Sequence, residues 1–454
     1  MSLYQDVIGQ LPILKTFNHG LLIFAVSDEA ERDGITEALE AAETRLLESF
    51  PWLGGAVVNE GSGPGNSGIY KLVPWPTTAS SPNHVVRCKD LSDTVVVTIE
   101  EIFKANAPSS LLDGKVLCPY PGFPEKYEDT PENPEPIIAI QANFIKGGLL
   151  LNFSAQHNAI DASGMMQVMH LFAKALRKED YTPSELEQGN RDRTRVIPLI
   201  APGEPIKDHS HLRLPADFRR PPPPAPEMMP TWAYFRLHKA SVPIIKALAS
   251  ERDNGWDPAV AFISTNDALS AMYWKCLASV RVANGCSPMA RSKYGRALDT
   301  RRAMGLDMEY MGHMVYHANS FMTLAELAAV PLPEIACRLR ADLNAVNNAF
   351  SVRSYATYIA GEADKAKVMY GGMYNPDTDV GSSAVPNAGF FHAFGPLGRP
   401  SYARRPGNLA PIPGCVYWMP DEGDFVPVLV CLKPDDLEGM KLHPVWSQYT
   451  EYLG

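Results

Sequence analysis

The sequence feature that most constrains the fold is a run of prolines near the middle of the chain, at residues 219–226 (RRPPPPAP). Proline fixes φ and lacks an amide hydrogen, so consecutive prolines neither continue a helix nor pair inside a sheet. We interpret the run as a stiff, extended connector, with a docking peptide for a proline-binding domain as the alternative. It predicts an N-terminal domain at residues 1–205, a linker at 206–230 and a C-terminal domain at 231–454.

The composition is that of a soluble globular protein. Of 454 residues, 45% are hydrophobic and 20% are charged, so the chain can bury the cores of two or three domains. A formal net charge of −10 argues against a nucleic-acid binder, which normally presents a basic face. This net charge does not exclude binding of a phosphorylated cofactor, because a few local cations suffice to bind one.

Nothing in the sequence has the pattern of a targeting or membrane-spanning segment. The start, from Met1 to Asp6, lacks a basic region followed by an apolar stretch, and no apolar segment is long enough to span a bilayer. The seven cysteines are scattered without CxxC pairs, which is typical of reduced thiols in the cytosol. We therefore expect a cytoplasmic protein with no membrane partner.

Strand and helix patterns alternate before the proline run. Residues 20–26 (GLLIFAV) and 56–58 predict strands. Residues 63–68 match GxGxxG, but a strand-like segment follows instead of a helix, so a hairpin loop is the preferred interpretation. The residues rich in Pro, Gly and acidic groups at 107–136 are typical of a long surface excursion. The stripe of a predicted amphipathic helix consists of Ile35, Ala38, Leu39, Ala42, Leu46 and Phe50.

A predicted hairpin leads to the chemically most informative part of the chain. Residues 137–145 and 149–155 predict two strands joined at Lys146-Gly147-Gly148, and the second strand ends at Gln156-His157. After Asp161 a further buried helix face is predicted. We favour core packing for this methionine-rich face, with a pocket lining as the alternative. Its residues are Met165, Val168, Met169, Phe172, Ala175 and Leu176.

The pattern restarts after the proline run. Residues 231–238 (TWAYFRLH) alternate like a strand, and helices are predicted to be capped by Ser241 and Ser264. Residues 416–419 and 425–432 predict a hairpin. The chain therefore predicts two α/β domains, one on either side of the prolines. The last helix is predicted to carry Trp446, Tyr449 and Tyr452.

His157 and Asp161 form an H-x-x-x-D motif directly after a predicted apolar strand. Imidazole is the side chain whose unperturbed pKa lets it take and return protons near neutral pH. An aspartate four residues later can brace the turn that aims the ring. The spacing alone arises often by chance, and the alternative is a core histidine with satisfied hydrogen bonds. The position at the end of an apolar strand favours a catalytic histidine.

His313 and His317 have a spacing that on a helix could place two imidazoles on one metal ion. No carboxylate or cysteine nearby completes a plausible ligand set, and the segment is partly strand-like. We favour a role other than metal binding for both histidines, and we expect no metal site.

An ordered set of segments along nearly the whole chain resembles one known family. The segments are GQLP, FPWLGG, NFIKGGLLLNFSAQH, FSAQHNAIDASG, STNDALSAMYWK, RALDTRRAMG and WSQYTEYLG. The set resembles the BAHD acyl-CoA-dependent acyltransferases, and among them the fungal trichothecene 3-O-acetyltransferases. The resemblance implies an α/β fold like that of chloramphenicol acetyltransferase, with two domains of mixed sheets and helices and a channel between them. Acyl-CoA would enter this channel from one face and the acceptor from the other.

The resemblance also implies roles for individual residues. His157 matches the catalytic histidine of the family, and Asp161 matches an aspartate that points away from the substrate and pairs with an arginine. Arg301 is the candidate for that arginine. The second family motif, DFGWG, is altered here: Phe394 and Gly395 remain, but Ala393 (or His392) stands at the aspartate position. By resemblance, Phe394 and Gly395 would support the cofactor side of the channel.

The function that the resemblance implies is transfer of an acyl group, most simply acetyl, from CoA to a hydroxyl of a secondary metabolite such as a trichothecene-like sesquiterpenoid. His157 would be the general base, acyl-CoA a co-substrate and not a tightly bound cofactor, and the protein a monomer. One alternative is a protein of this fold that has lost acyl transfer and binds, isomerises or cyclises a terpenoid or polyketide. Another is a peptide-condensation domain, which is disfavoured because Gln156 and Ala162 replace the second histidine and the glycine of HHxxxDG.

Overall fold

The computed structural model describes residues 3–4, 6–26, 29–218, 225–252, 255–385 and 390–454. Residues 219–224 of the proline run lie outside the described residues, so the connector and the domain boundaries drawn from it stay predictions. The described chain is built on three sheets with helices packed against them. No helix in these ranges is both long and apolar enough to cross a membrane.

The strands and helices follow one another in a mixed order. The strands are β1 (Leu3–Tyr4), β2 (Phe17–Ala25), β3 (Ala56–Gly63), β4 (Asn66–Val73), β5 (Val86–Asp90), β6 (Glu135–Pro136), β7 (Ile138–Ile145), β8 (Gly148–Gln156), β9 (Thr231–His238), β10 (Arg291–Asp299), β11 (Val315–Thr323), β12 (Val380–Ala384), β13 (Tyr402–Arg404), β14 (Cys415–Trp418), β15 (Phe425–Leu432) and β16 (Thr450–Tyr452). The α-helices are α1 (Arg32–Ser49), α2 (Ile99–Lys104), α3 (Gly114–Leu117), α4 (Ala162–Leu176), α5 (Pro183–Gly189), α6 (Ser241–Leu248), α7 (Thr265–Ala283), α8 (Leu324–Ala329), α9 (Leu332–Val346), α10 (Ala349–Gly361), α11 (Pro434–Leu442) and α12 (Pro444–Tyr449).

The first large sheet has five strands in the order β13-β2-β8-β7-β5. Its centre is the predicted hairpin, in which β7 and β8 pair antiparallel and Gly147 takes a positive φ of 77° in the turn. Helices α1 and α4 pack on this sheet, and residues such as Leu39 and Phe172 join the same buried core. β13 pairs with β2, so a strand from the C-terminal half completes a sheet of the N-terminal half.

The second large sheet has seven strands in the order β11-β10-β12-β14-β15-β9-β16. β9 covers the predicted strand, and β14 and β15 form the predicted hairpin. Helix α7 packs against this sheet through buried residues that include Trp274. As predicted, Ser264 caps α7, and Asp267 completes a capping box that satisfies the first free amides of the helix.

A third sheet has four strands in the order β1-β4-β3-β6. Its β3–β4 hairpin contains the glycine-rich stretch, with Gly63 paired to Asn66 across the turn and Gly65 at a positive φ of 73°. The hairpin interpretation of this stretch is confirmed.

Three sequence predictions differ from the structure. Residues 107–136 are only partly a surface excursion: Leu112 and Leu117 cover the face of the five-stranded sheet that is also covered by α2. A sheet whose strands are apolar on both faces needs cover on both, and the sequence pattern of the cover is too irregular to predict. Ser241 is the first residue of α6 and not its cap, since Ala240 precedes the helix and makes no side-chain cap. Tyr452 lies in strand β16, beyond the end of α12.

Candidate active site

His157 follows β8 immediately, in the turn between that strand and α4. Its backbone amide donates to the carbonyl of Thr16 at 2.8 Å, which fixes the turn to the start of the neighbouring strand β2. The residue is 8% exposed, and that exposed part faces a cavity. The sheet therefore delivers the imidazole to an internal surface, as the motif predicts.

A buried amide network holds the turn that carries His157. The side chain of Gln156 donates to Oδ1 of Asn158 at 2.8 Å and accepts from the amide of Ala159 at 2.8 Å. Asn158 in turn donates to the carbonyls of Gly9 and Leu11. Sequence reasoning missed these residues, although they lie inside or beside the motif, because polar side chains in a turn are usually solvated.

Asp161 is buried and accepts four hydrogen bonds. It caps α4 by accepting from the amide of Gly164 at 2.8 Å, and it accepts from the amide of Met314 at 2.8 Å. The guanidinium of Arg301 donates to both of its oxygens, at 3.0 and 2.9 Å. Burial raises the pKa of Asp161, but Arg301 and the amide donors outweigh burial, so the pKa lies below its ordinary value. Asp161 is therefore an ionised carboxylate held within the protein.

Arg301 is completely buried and has no donor left for a ligand of the cavity. Besides Asp161 it contacts Asp299 at 3.0 Å, and it donates to the carbonyls of Tyr310 and Gly312 at 2.8 and 2.6 Å. Burial lowers the pKa of the guanidinium, but the two carboxylates outweigh this and raise it. The expected pair of Asp161 and Arg301 is thus present as a contact, and it ties α4 to the segment before β11.

His313 lies behind the turn that carries His157, and the sequence did not assign it a specific role. Its Nδ1 donates to the carbonyl of His157 at 2.9 Å, and its amide donates to Asp6 at 2.9 Å. The hydroxyl of Tyr370 lies 3.5 Å from its Nε2. His313 therefore holds the backbone of His157. Among the described residues no group of three or more His, Cys, Asp or Glu side chains is arranged to hold a metal ion.

The imidazole of His157 is neutral at neutral pH. Burial lowers its pKa to about 3, with a further contribution from His313, and Asp161 opposes the shift only in part. Its Nδ1 is buried and has no hydrogen-bond partner among the described residues. Phe123 packs edge-on against the ring, with 5.9 Å between centroids. A neutral imidazole can accept a proton from a bound hydroxyl group.

The cavity beside His157 has a volume of about 370 Å³ and is walled by both large sheets. Met165 and Met166 of α4 line it, and Met165 and Met169 belong to the buried core, so Met165 fits both interpretations of the methionine-rich face. Burial lowers the pKa of Lys293 to about 8. Burial also lowers the pKa of His317 to about 3, and the positive charge of Lys293 is the next largest cause of this shift. Other lining residues include His19, Gly20, Phe123, Ala297, Val315, Tyr370, Ser382, Phe390, Arg405, Ile412 and Tyr417.

Phe394 and Gly395 lie away from this cavity. The side chain of Phe394 is fully buried against Phe24 and Phe153, with ring centroids 5.6 and 6.2 Å away. Gly395 has a φ of 54° and lies so close to the carbonyl of Leu176 that a Cβ atom would come within 2.6 Å of it. The fully buried ring of Phe394 therefore serves the packing of this segment, and a role of Phe394 and Gly395 on the cofactor side of the channel stays a prediction. The segment packs against the end of α4.

Two family profiles match the sequence. The trichothecene 3-O-acetyltransferase-like N-terminal domain matches residues 17–176, and the Transferase family matches residues 123–445. The O-acyltransferase pigD of Monascus ruber is 43% identical over 99% of this chain and 98% of its own length. The trichothecene 3-O-acetyltransferase of Fusarium sporotrichioides is 34% identical over 99% of this chain and 96% of its own length.

The fold of the chain also matches the folds of solved structures. A crystal structure of an F. graminearum relative with coenzyme A and T-2 mycotoxin superposes with a TM-score of 0.91, at 30% identity and full coverage of both chains. The predicted fold class is confirmed, and it is the class of the acyltransferases that take their acyl group from CoA. Within that class, the chain belongs to the Transferase family, and it is an O-acyltransferase.

Proposed function

We propose that the protein transfers an acetyl group from acetyl-CoA to a hydroxyl group of a small secondary metabolite, with His157 as the general base. The observation that carries the proposal is the neutral imidazole of His157 at the surface of a cavity walled by both large sheets. An alcohol is a poor nucleophile at neutral pH, so its transfer chemistry needs a base within hydrogen-bond reach.

In this mechanism the acceptor hydroxyl donates its hydrogen bond to the ring nitrogen of His157 that faces the cavity, which is not the buried Nδ1. The proton moves to the imidazole as the oxygen attacks the thioester carbonyl, and a tetrahedral intermediate forms. When the carbon–sulfur bond breaks, the imidazolium returns the proton to the departing thiolate of CoA. Such assistance contributes about 10²–10⁴-fold to the rate.

Asp161 and Arg301 act as positioning residues in this proposal. Every oxygen of Asp161 is occupied by donors of the protein, so it is not available to exchange protons with substrate. The pair fixes the start of α4 and the segment that carries His313, which holds the carbonyl of His157. Displacement of a catalytic group by about 1 Å can cost roughly a hundredfold in rate.

The mostly apolar lining of the cavity suits a compact hydrophobic acceptor. Relatives named O-acetyltransferase, together with a trichothecene 3-O-acetyltransferase, make acetyl the preferred acyl group and a trichothecene-like sesquiterpenoid one acceptor to test. Because one chain supplies both walls of the cavity, we propose a monomer as the active form. The cysteines are all free, which supports the reducing cytoplasm as the compartment.

The direct test mixes the purified protein with acetyl-CoA and a panel of hydroxylated acceptors and follows release of the free thiol. We expect turnover with some acceptors and a loss of about 10²–10⁴-fold in His157→Ala. The same substitution at the exposed His84 serves as the matched control and leaves turnover unchanged. Equal rates in both variants would refute the role of His157. Absence of CoA binding in calorimetry would instead favour a protein that no longer transfers acyl groups.

A further inference from the structure

Arg405 is a partly buried cation of the cavity, and the protein does not use up its hydrogen-bonding capacity. Its Nη2 donates to the carbonyl of Phe123 at 3.3 Å, and its Cζ lies 4.1 Å from the ring centroid of Trp232. Its Nη1 is shielded from solvent and has no hydrogen-bond partner among the described residues. The preceding Arg404, by contrast, is paired with the carboxylate of Glu422.

The cavity around Arg405 is positively charged. None of the described residues that line it is an aspartate or a glutamate, whereas three cations line it: Lys293, Arg404 and Arg405. Arg404 is neutralised by its partner, and Lys293 donates to backbone carbonyls that include those of Gly371 and Met373. Arg405 therefore remains as the lining cation whose hydrogen bonds are incomplete and that has no carboxylate partner in the described chain.

The neighbouring histidine is consistent with this positive potential. Burial lowers the pKa of His19 to about 3, and Arg405 is the next largest cause. A charge held partly out of water is costly unless it is paired, and the stacking of Arg405 on Trp232 compensates this cost only in part. The planar guanidinium offers donors in a fork that matches a carboxylate. The geometry thus leaves one place for an anionic oxygen supplied by a ligand.

We propose that Arg405 binds an anionic oxygen of the acceptor, so that the acceptor is a hydroxylated organic acid, with a carboxylate or an ionised enol, and not a neutral alcohol. This inference rests on the proposed acyl transfer and names its substrate class, in place of the neutral sesquiterpenoid alcohol considered above. Phe123 connects the two sites, because its carbonyl accepts from Arg405 and its ring packs against His157. A single small molecule can therefore place its anionic group on Arg405 and its hydroxyl at the base.

Two other sources of an anion are chemically possible. The phosphates of CoA are separated from its thioester by the whole pantetheine arm. Arg405 is separated from His157 only by Phe123, so it lies too close to the base to meet those phosphates. A dicarboxylic acyl group such as malonyl would bring a carboxylate closer. The experiment therefore compares acid and ester acceptors, and acetyl-CoA and malonyl-CoA donors, separately.

The test measures binding of matched probes in the absence of donor, with 6-(hydroxymethyl)-2-naphthoic acid and several further hydroxy acids, each compared with its methyl ester. We expect the wild type to bind at least one acid about tenfold or more tightly than its ester, as for a charge-assisted hydrogen bond. Arg405→Gln removes this preference, and Arg405→Lys retains part of it. Arg291→Gln is the control, because Arg291 also lies over an aromatic ring but outside the cavity.

The inference is overturned if every ester binds as well as its acid, or if Arg405→Gln raises the KM for acetyl-CoA and not for the acceptor. It is also overturned if malonyl-CoA is the preferred donor and loses that preference in Arg405→Gln. Circular dichroism and thermal unfolding confirm that the variants are folded, and Arg405→Lys reports on the site if the glutamine variant is not. Because binding is measured without transfer, failure here leaves the thiol-release test of acyl transfer as a separate result.

Discussion

Replacing Asp161 by asparagine tests whether the carboxylate serves the structure of the site and not its proton transfer. The substitution keeps the shape of the side chain but removes the charge, and it places an amide donor among groups that are themselves donors. Arg301 and the amide of Met314 would then face this amide in the protein interior. The substitution therefore deprives the fully buried guanidinium of Arg301 of one carboxylate partner.

The expected cost follows from the environment of Arg301. Removing one partner of a buried ion pair costs about 3–5 kcal/mol. Arg301 keeps its contact with Asp299 and its carbonyl acceptors at Tyr310 and Gly312, so we expect the lower end of this range, about 3 kcal/mol. Because the pKa of Asp161 is lowered from 3.8 in the folded protein, its contribution is present above that value and is lost as the pH falls through the lowered pKa.

Urea unfolding of wild type and Asp161→Asn measures this cost, and Asp299→Asn is the matched control. Asp299 contacts the same guanidinium, but its side chain is 28% exposed, so its substitution is expected to cost less than about 1 kcal/mol. We expect kcat/KM of Asp161→Asn to fall by roughly a hundredfold, through displacement of His157. If Asp161→Asn unfolds as readily as Asp299→Asn and keeps full activity, the assigned division of roles is wrong.

Three further predictions concern the same residues. Asn158→Ala should lower kcat more than it raises either KM, because it frees the turn that aims His157 while leaving the cavity lining intact; steady-state kinetics with both substrates varied will show this. The pH profile of kcat/KM should lack the usual loss of activity near an unperturbed histidine pKa of 6.5, because His157 with a pKa of about 3 stays neutral well below it; an acid limb at the ordinary value would contradict the burial argument. The free energy of unfolding should fall as the pH is lowered through this window, since the unfolded chain binds protons that folded His19, His157 and His317 refuse. The loss is about 2 kcal/mol per histidine at about pH 5, and it is measurable by urea titration at several pH values.

The sequence predicts the elements of the site better than their surroundings. The strand–turn–helix unit around His157 follows from local periodicity and one capping aspartate, and resemblance to the family supplied Arg301. Strand β13 and the cover of the five-stranded sheet by residues 107–136 could not be predicted, because both depend on contacts between segments far apart in the chain. The same holds for His313 and Arg405. The position of a buried histidine behind a turn, or of a cation without a partner, depends on how distant segments pack. The sequence around a single residue has no periodic pattern that would predict it.

The site also shows why an H-x-x-x-D motif differs from a catalytic triad. In a triad the carboxylate orients the imidazole by accepting from its ring and stabilises the imidazolium. Here Asp161 is fully used by Arg301 and backbone amides, and the backbone of His157 is held instead, through Thr16 and His313. Asp161 compensates a protonated His157 only in part. In the proposed mechanism the positive charge is therefore stabilised mainly while the negative tetrahedral intermediate lies beside it. The proposed mechanism thereby couples proton uptake by His157 to attack on the thioester, and it predicts that the imidazole stays neutral whenever the cavity lacks a reacting acceptor.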